Sequence, residues 1–97
     1  MAVLVLIELK VKPESIDAMK AWLKNGLPDT RAAEGCEGVT VHDNLGDRSN
    51  LVLVEYWNSK EQYEKYRAWR AEKGDHERLV GMLSSSLSVR SFEIVGL

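Results

Sequence analysis

The chain has 97 residues, which is enough for one small domain over 1–97 and too few for a two-domain scheme or a large catalytic scaffold. Thirteen Lys and Arg against fifteen Asp and Glu give a net charge of −2, which excludes the strong basic field that non-specific nucleic-acid or anionic-membrane binding requires. With 44% apolar residues the chain can build one compact core, but at this length it buries only about 60–70% of its unfolded surface, so association would help it. One cysteine, Cys36, cannot form an internal disulfide, and two histidines cannot supply a Cys/His zinc cluster. No metal site is therefore expected, and a reducing, cytoplasmic compartment fits. The opening run Met1 to Ile7 has no basic flank or cleavage site and is far shorter than the ~20 residues that span a bilayer.

Val3, Val5, Ile7, Leu9 and Val11 recur with period two, the mark of a strand with one buried face. Ala2, Leu4 and Leu6 are apolar as well, so part of the second face is expected to be covered. Pro13 suits a helix start, and Ile16, Met19, Leu23 and Leu27 follow at helical spacing. Asn25-Gly26 followed by Pro28 predicts a stop or kink, with a resumed turn ending at Gly35. Val39 and Val41 predict a second strand and Leu51 to Trp57 a third, joined by a polar loop over 44–50. The third is apolar on both alternating sets, as a central strand covered on both faces would be.

Ser59-Lys60-Glu61-Gln62 has capping-box spacing and predicts a second helix, with Tyr63, Tyr66 and Trp69 or Arg70 on one face and Gly74 as a left-handed end. Asp75 is expected to cap a short third helix carrying Leu79, Val80, Met82 and Leu83. In the last strand Leu87 and Val89 share one parity and Phe92 and Ile94 the other, which predicts a bulge or change of partner near Arg90-Ser91. The order strand, helix, strand, strand, helix, strand is the split βαβ arrangement of an α+β ferredoxin-like sandwich with an antiparallel sheet. Helices cover one sheet face only. The apolar second face is too large for a monomer to leave bare, so a homodimer with sheets packed face to face is expected.

These residues resemble the antibiotic biosynthesis monooxygenase family of dimeric α+β barrels, from Val3 through Val95. The resemblance is carried by Leu9-Lys10-Val11-Lys12-Pro13, by Arg31-Ala32-Ala33-Glu34-Gly35-Cys36 and by Val54-Glu55-Tyr56-Trp57-Asn58-Ser59. It implies a dimer whose C-terminal strand completes the partner's barrel, with an aromatic pocket between sheet and helices. Members often carry a His where this chain has Tyr66, so that role does not transfer. The haem-degrading branch uses an Asn on the first strand, a Trp on the second helix and a His ten residues later. Those positions fall on Ile7, Tyr66 and His76, of which only His76 matches.

The chain has no phosphate loop, dinucleotide fingerprint, zinc-protease motif or nucleophile elbow. The expected function is a monooxygenase without metal, flavin or other cofactor, acting with O2 on a phenol, anthrone or quinol-like compound. Such a substrate becomes electron-rich on losing a proton, so the protein need supply only a base, donors for the oxyanion and a dry cavity. Tyr66, His76 and Trp57 are the candidate catalytic residues, and Tyr63, Trp69 and Arg70 the candidate substrate-binding ones. Phenol and indole rings stack on planar ligands and donate hydrogen bonds, and Arg70, with Arg67, can hold an acidic group. Their run of charges also reads as a solvated helix face. Trp22 and Trp69 also read as core or interface residues, and His42, on the polar parity, as a surface or dimer-seam histidine. A non-catalytic small-molecule-binding dimer would use the same pocket, and a haem-binding or haem-degrading protein is the third reading.

Overall fold

A computed structural model describes residues 2–97; Met1 lies outside the described residues. The elements are β1 (Val3–Lys10), a single 3-10 turn (Pro13–Ser15), α1 (Ile16–Ala32), β2 (Cys36–Asn44), β3 (Asp47–Trp57), α2 (Lys60–Glu72), α3 (Asp75–Gly81) and β4 (Ser88–Glu93). All pairings are antiparallel in the order β2-β3-β1-β4, the ferredoxin-like arrangement. A single chain makes an open sheet, so barrel closure does not occur within it. No helix among the described residues is long and apolar enough to cross a membrane.

The period-two patterns decide which face meets the helices. Val3, Val5 and Leu9 of β1 and Leu51, Leu53 and Trp57 of β3 are buried together, in register Val3↔Trp57 to Leu9↔Leu51. Against this face α1 packs Met19, Leu23 and Leu27, each stabilising the fold by about 1.5–3 kcal/mol on burial. The core falls into two clusters, one around Leu9, Met19 and Leu51 and one around Val5, Trp57 and Tyr63, and Ile7 packs against both. On the other face Leu4, Leu6, Val52 and Val54 are half-buried, while Tyr56, Phe92 and Ile94 are exposed.

Four local expectations are corrected. First, α1 runs unbroken through Asn25, Gly26 and Pro28. The local penalties, about 1 kcal/mol for Gly and about 3 for Pro, are outweighed because stopping there would expose Leu27 and Thr30. Second, the loop predicted over 44–50 is only a tight turn, with Asn44 paired to Asp47. The Gly46 N–H donates to Asn44 Oδ1 at 2.8 Å, and Asn50 Nδ2 donates to the Leu9 carbonyl at 3.2 Å, which draws 47–50 into β3.

Third, β4 pairs with β1 in unbroken register from Ser88 to Glu93, so there is no bulge at Arg90-Ser91. Leu87 and Val89 pack inward from the odd positions while Phe92 and Ile94 stand on the open face. The irregularities lie in the β2–β3 pairing instead, between Cys36 and Gly38 and between Asp43 and Asn44. Fourth, Gly74, left-handed at φ 81°, is itself the N-cap of α3, and Asp75 points into the fold. At α2 the cap is as expected in one half: Ser59 Oγ accepts from the Gln62 N–H at 3.2 Å, and the hydroxyl donates to Gln62 Oε1 at 3.1 Å. Gly35, at φ 89°, turns the chain out of α1 and packs so close to Gln62 that a Cβ would overlap its side chain.

Candidate active site

Between the helices and the inner sheet face lies a cavity of about 550 Å³. Ile7, Leu53 and Val89 give it an apolar sheet wall, and Trp22, Leu23 and Leu27 line it from α1. Into this apolar space project Glu55 of β3, Thr30 of α1, and Tyr63, Tyr66 and Arg70 of α2; His76 and Asp75 of α3 line it too. Helical geometry selects the α2 residues. Tyr63, Tyr66 and Arg70 fall within about 60° of one another around the axis, whereas Trp69 is about 120° from Tyr63.

Trp57 is fully buried and forms the centre of an aromatic cluster, with ring centroids 5.6 Å from Tyr63 and 5.2 Å from Tyr66. Its indole N–H donates to Glu55 Oε1 at 2.9 Å. Glu55 is only 3% exposed. Burial pushes its carboxyl above the usual glutamate range, against the Trp57 hydrogen bond and the positive charge of Arg70. Burial, with the Glu55 charge as the next cause, pushes the Tyr63 phenol up to about 12.

Tyr66 and Arg70 form one polar unit. Arg70 Nε donates to the Tyr66 hydroxyl at 2.6 Å, Nη2 to the Gly26 carbonyl at 2.5 Å and to Thr30 Oγ1 at 3.3 Å, and Nη1 to Asp75 Oδ2 at 2.9 Å. Thr30 Oγ1 and the Tyr66 hydroxyl share a short hydrogen bond in which either can donate. Burial raises the Tyr66 phenol, opposed by its bonds to Thr30 and Arg70. The guanidinium is planar and its donors fork toward three elements, so it fixes the Tyr66 ring against α1 and α3 together.

Residues 2–73 match the family model for antibiotic biosynthesis monooxygenase. The chain belongs to this family. Among solved structures it is similar to Rv0793 from Mycobacterium tuberculosis (TM-score 0.89, 20% identity, covering 100% of this chain and 98% of that one). It is similar as well to a conserved protein from Methanosarcina mazei Go1 (0.87, 21%, 95% and 91%) and to a structure described as antibiotic biosynthesis monooxygenase (0.86, 17%, 97% and 99%). At these identities the likeness shows the shared fold. No curated protein matches the chain at a significant level.

In this family member the cavity brings together four of the six residues singled out in the sequence: Tyr63, Tyr66, Arg70 and His76. Trp57 does not line it, because the ring is packed behind Glu55 and Tyr66 and its N–H is already given to Glu55. Trp69 is 42% exposed on the outer side of α2, with Lys73 Nζ 4.3 Å from its ring. Arg70 is not part of a solvated charged face; its side chain is 18% exposed and fully engaged. His42 stands on the open sheet face, 2.8 Å from Thr40 Oγ1. The residues that sequence reasoning passed over are Glu55, Thr30 and Asp75, all buried. For Glu55 a signal existed: it shares parity with Leu51, Leu53 and Trp57, the one charged residue on an otherwise apolar face. Among the described residues no group of three or more His, Cys, Asp or Glu is placed to hold a metal ion.

Proposed function

We propose that this family member is a cofactor-independent monooxygenase that binds a small phenol, hydroquinone or anthrone-like compound between α1, α2 and the inner sheet face. The observation that carries this reading is the convergence of Tyr66 and Arg70, held by one hydrogen-bond network, on a cavity with an aliphatic and aromatic wall from the sheet and α1 and with the exposed Asp29, Arg67, Lys73, His76 and Arg78 also lining it. In the reaction O2 accepts four electrons from the substrate. One oxygen atom enters the product as a carbonyl or hydroxyl oxygen and the other leaves as water.

The substrate must first lose a proton, and its oxyanion then needs donors in a dry site. Tyr66 can supply one, because the Thr30–Tyr66 pair is reversible: with Thr30 donating to Tyr66, the phenol proton is free to turn to the substrate. Arg70 remains bound to the Tyr66 oxygen and stabilises the negative charge that develops beside it. Tyr63 supplies stacking surface, and His76 serves proton exchange on the α3 side. Trp57 acts through Glu55, and Trp69, on the surface, acts through its contact with Tyr66.

The same reading includes a homodimer formed through the open sheet face and, with Cys36 as a free thiol, a cytoplasmic location. The test is an oxygen-uptake screen of phenols, hydroquinones and anthrones with ¹⁸O-labelled dioxygen. Uptake with one labelled atom in the product is expected. Compounds that raise the melting temperature without oxygen uptake would favour the non-catalytic binding dimer. Because His76 lines the cavity, haemin belongs in the screen, and a Soret shift lost in His76→Ala would favour haem binding.

A further inference from the structure

Glu55 stands out among the cavity groups because it is a carboxyl on the inner face of the central strand pair, flanked in register by Val5 and Val39. Unpaired carboxylates are rarely buried, since ionisation without a partner costs several kcal/mol. Asp75, the other buried acid, has Arg70 and Arg78 at 2.9 and 3.6 Å. Glu55 has only a neutral donor, the Trp57 indole, and that bond holds one oxygen, Oε1. Oε2 has no hydrogen-bond partner among the described residues and is not sealed in the core, and the residue lines the cavity. An acid placed in this way gives the fold little and gives a ligand one unshared acceptor.

We propose that Glu55 is the catalytic base of this cavity, its Oε2 taking the proton from the substrate's acidic O–H or activated C–H, and that Trp57 is the positioning residue that aims it. This rests on the proposed oxygenase reading and names the group that starts the reaction. In the step the substrate O–H (or C–H) bond breaks, its electron pair stays on the substrate, and a new O–H bond forms at Oε2. The charge moves from Glu55 to the substrate, toward Tyr66 and Arg70, so no net charge enters the cavity. A base made stronger by burial is better matched to a phenol than a solvated glutamate is.

The titratable and charged groups that act on Glu55 or line the cavity with it are the Cys36 thiol from β2, Asp29 from α1, Tyr63, Tyr66, Arg67 and Arg70 from α2 with Lys73 just beyond it, and Asp75, His76 and Arg78 from α3. A pH profile must therefore be assigned by variants. Glu55→Gln keeps the shape and an oxygen to accept from Trp57. It should lower turnover by about 10²-fold or more and abolish the acidic limb of the profile. His76→Gln should retain that limb. Trp57→Phe removes the bond that favours the carboxylate, so the limb should move to higher pH.

A measurement without turnover uses 3-nitrophenol, which is neutral in water at neutral pH and coloured once ionised. In wild type its ionisation on binding should release no matching protons to a weakly buffered solution, because Glu55 retains them. In Glu55→Gln each phenolate formed must release one. Equal release per phenolate formed in both proteins, or Glu55→Gln turnover within threefold of wild type with the acidic limb intact, would overturn the assignment while leaving the aromatic pocket in place. Failure of the probe to bind either protein would overturn the pocket reading and this assignment together.

Discussion

Arg70 and Asp75 lie on consecutive helices, on either side of the left-handed Gly74, and their side chains meet at 2.9 Å with only 18% and 9% of their surface exposed. A pair this far out of solvent is little screened by salt. Asp75→Ala leaves the guanidinium beside Tyr66 without its main counter-ion, and breaking such a pair from one side costs about 3 kcal/mol. The urea midpoint should fall accordingly, and by nearly the same amount in low and high salt. An unchanged midpoint would mean that Arg70 is satisfied by Gly26, Thr30 and Tyr66 alone.

Tyr66 carries two separable contributions. Tyr66→Phe removes the hydroxyl that joins Thr30 to Arg70 and should lower stability by about 1–2 kcal/mol. Ligand affinity should hardly change, while turnover that depends on the oxyanion contact falls by about 10²-fold. Tyr66→Ala should weaken binding too, through loss of the stacking surface. Calorimetric binding measured beside kcat separates the two, and a Phe variant with full turnover would remove the hydroxyl from the reaction.

The fold was legible because its main signals are local. Alternation in Val3 to Val11 and in Leu51 to Trp57 is set by the pleat, and Pro13, Ser59 and Gly74 mark turns by their own backbone chemistry. The site was legible where residues share a helix face, as Tyr63, Tyr66 and Arg70 do, and at His76, which its imidazole and its spacing from Tyr66 single out. Asp75 looked like a cap because a carboxylate after a glycine suits one; that Arg70 claims it depends on how α2 and α3 meet. Thr30 follows a Pro that reads as a stop, and only the packing of α1 against the sheet carries the helix past it. Glu55 was overlooked because a central-strand pattern draws attention to its apolar members, while the cavity that admits a carboxyl there is formed by elements remote in sequence.

The same carboxyl makes stability depend on pH in a defined direction. Unfolded, Glu55 ionises near its ordinary value of 4.5; folded, burial raises that value. Between the two, the folded chain holds a proton that the unfolded chain has released, so stability falls as pH rises. The contribution is full below the unfolded value and is lost as pH passes through the folded one. Glu55→Gln has no such loss, so its melting temperature relative to wild type should climb from about pH 4.5 upward and then level off. Parallel curves across this range would mean that Glu55 ionises alike in both states.

Leu6 and Val52 occupy the same, helix-free face of the sheet, so either can test the proposed dimer. Sedimentation at micromolar concentration should give twice the mass of the chain. Leu6→Asp places an unpaired charge in the apolar seam at a cost of several kcal/mol and should yield monomer or unfolded protein. A wild type that sediments as a well-folded monomer would defeat the dimer.

Gly35 and Gln62 have a consequence for which substitutions the chain can accept together. The left-handed turn leaving α1 is pressed against the residue that closes the first turn of α2. Gly35→Ala therefore meets two obstacles, about 1–2 kcal/mol of backbone strain and an overlap with the glutamine side chain. Gln62→Ala removes the overlap with the amide end but keeps a Cβ 2.8 Å from the added one, so it relieves only part of the second. The double variant should be more stable than the two single losses sum to, yet still below wild type by the backbone strain and the close Cβ contact that remain. The two sites are thus epistatic, and a side chain can become tolerable at 35 only in a chain that has first shortened position 62.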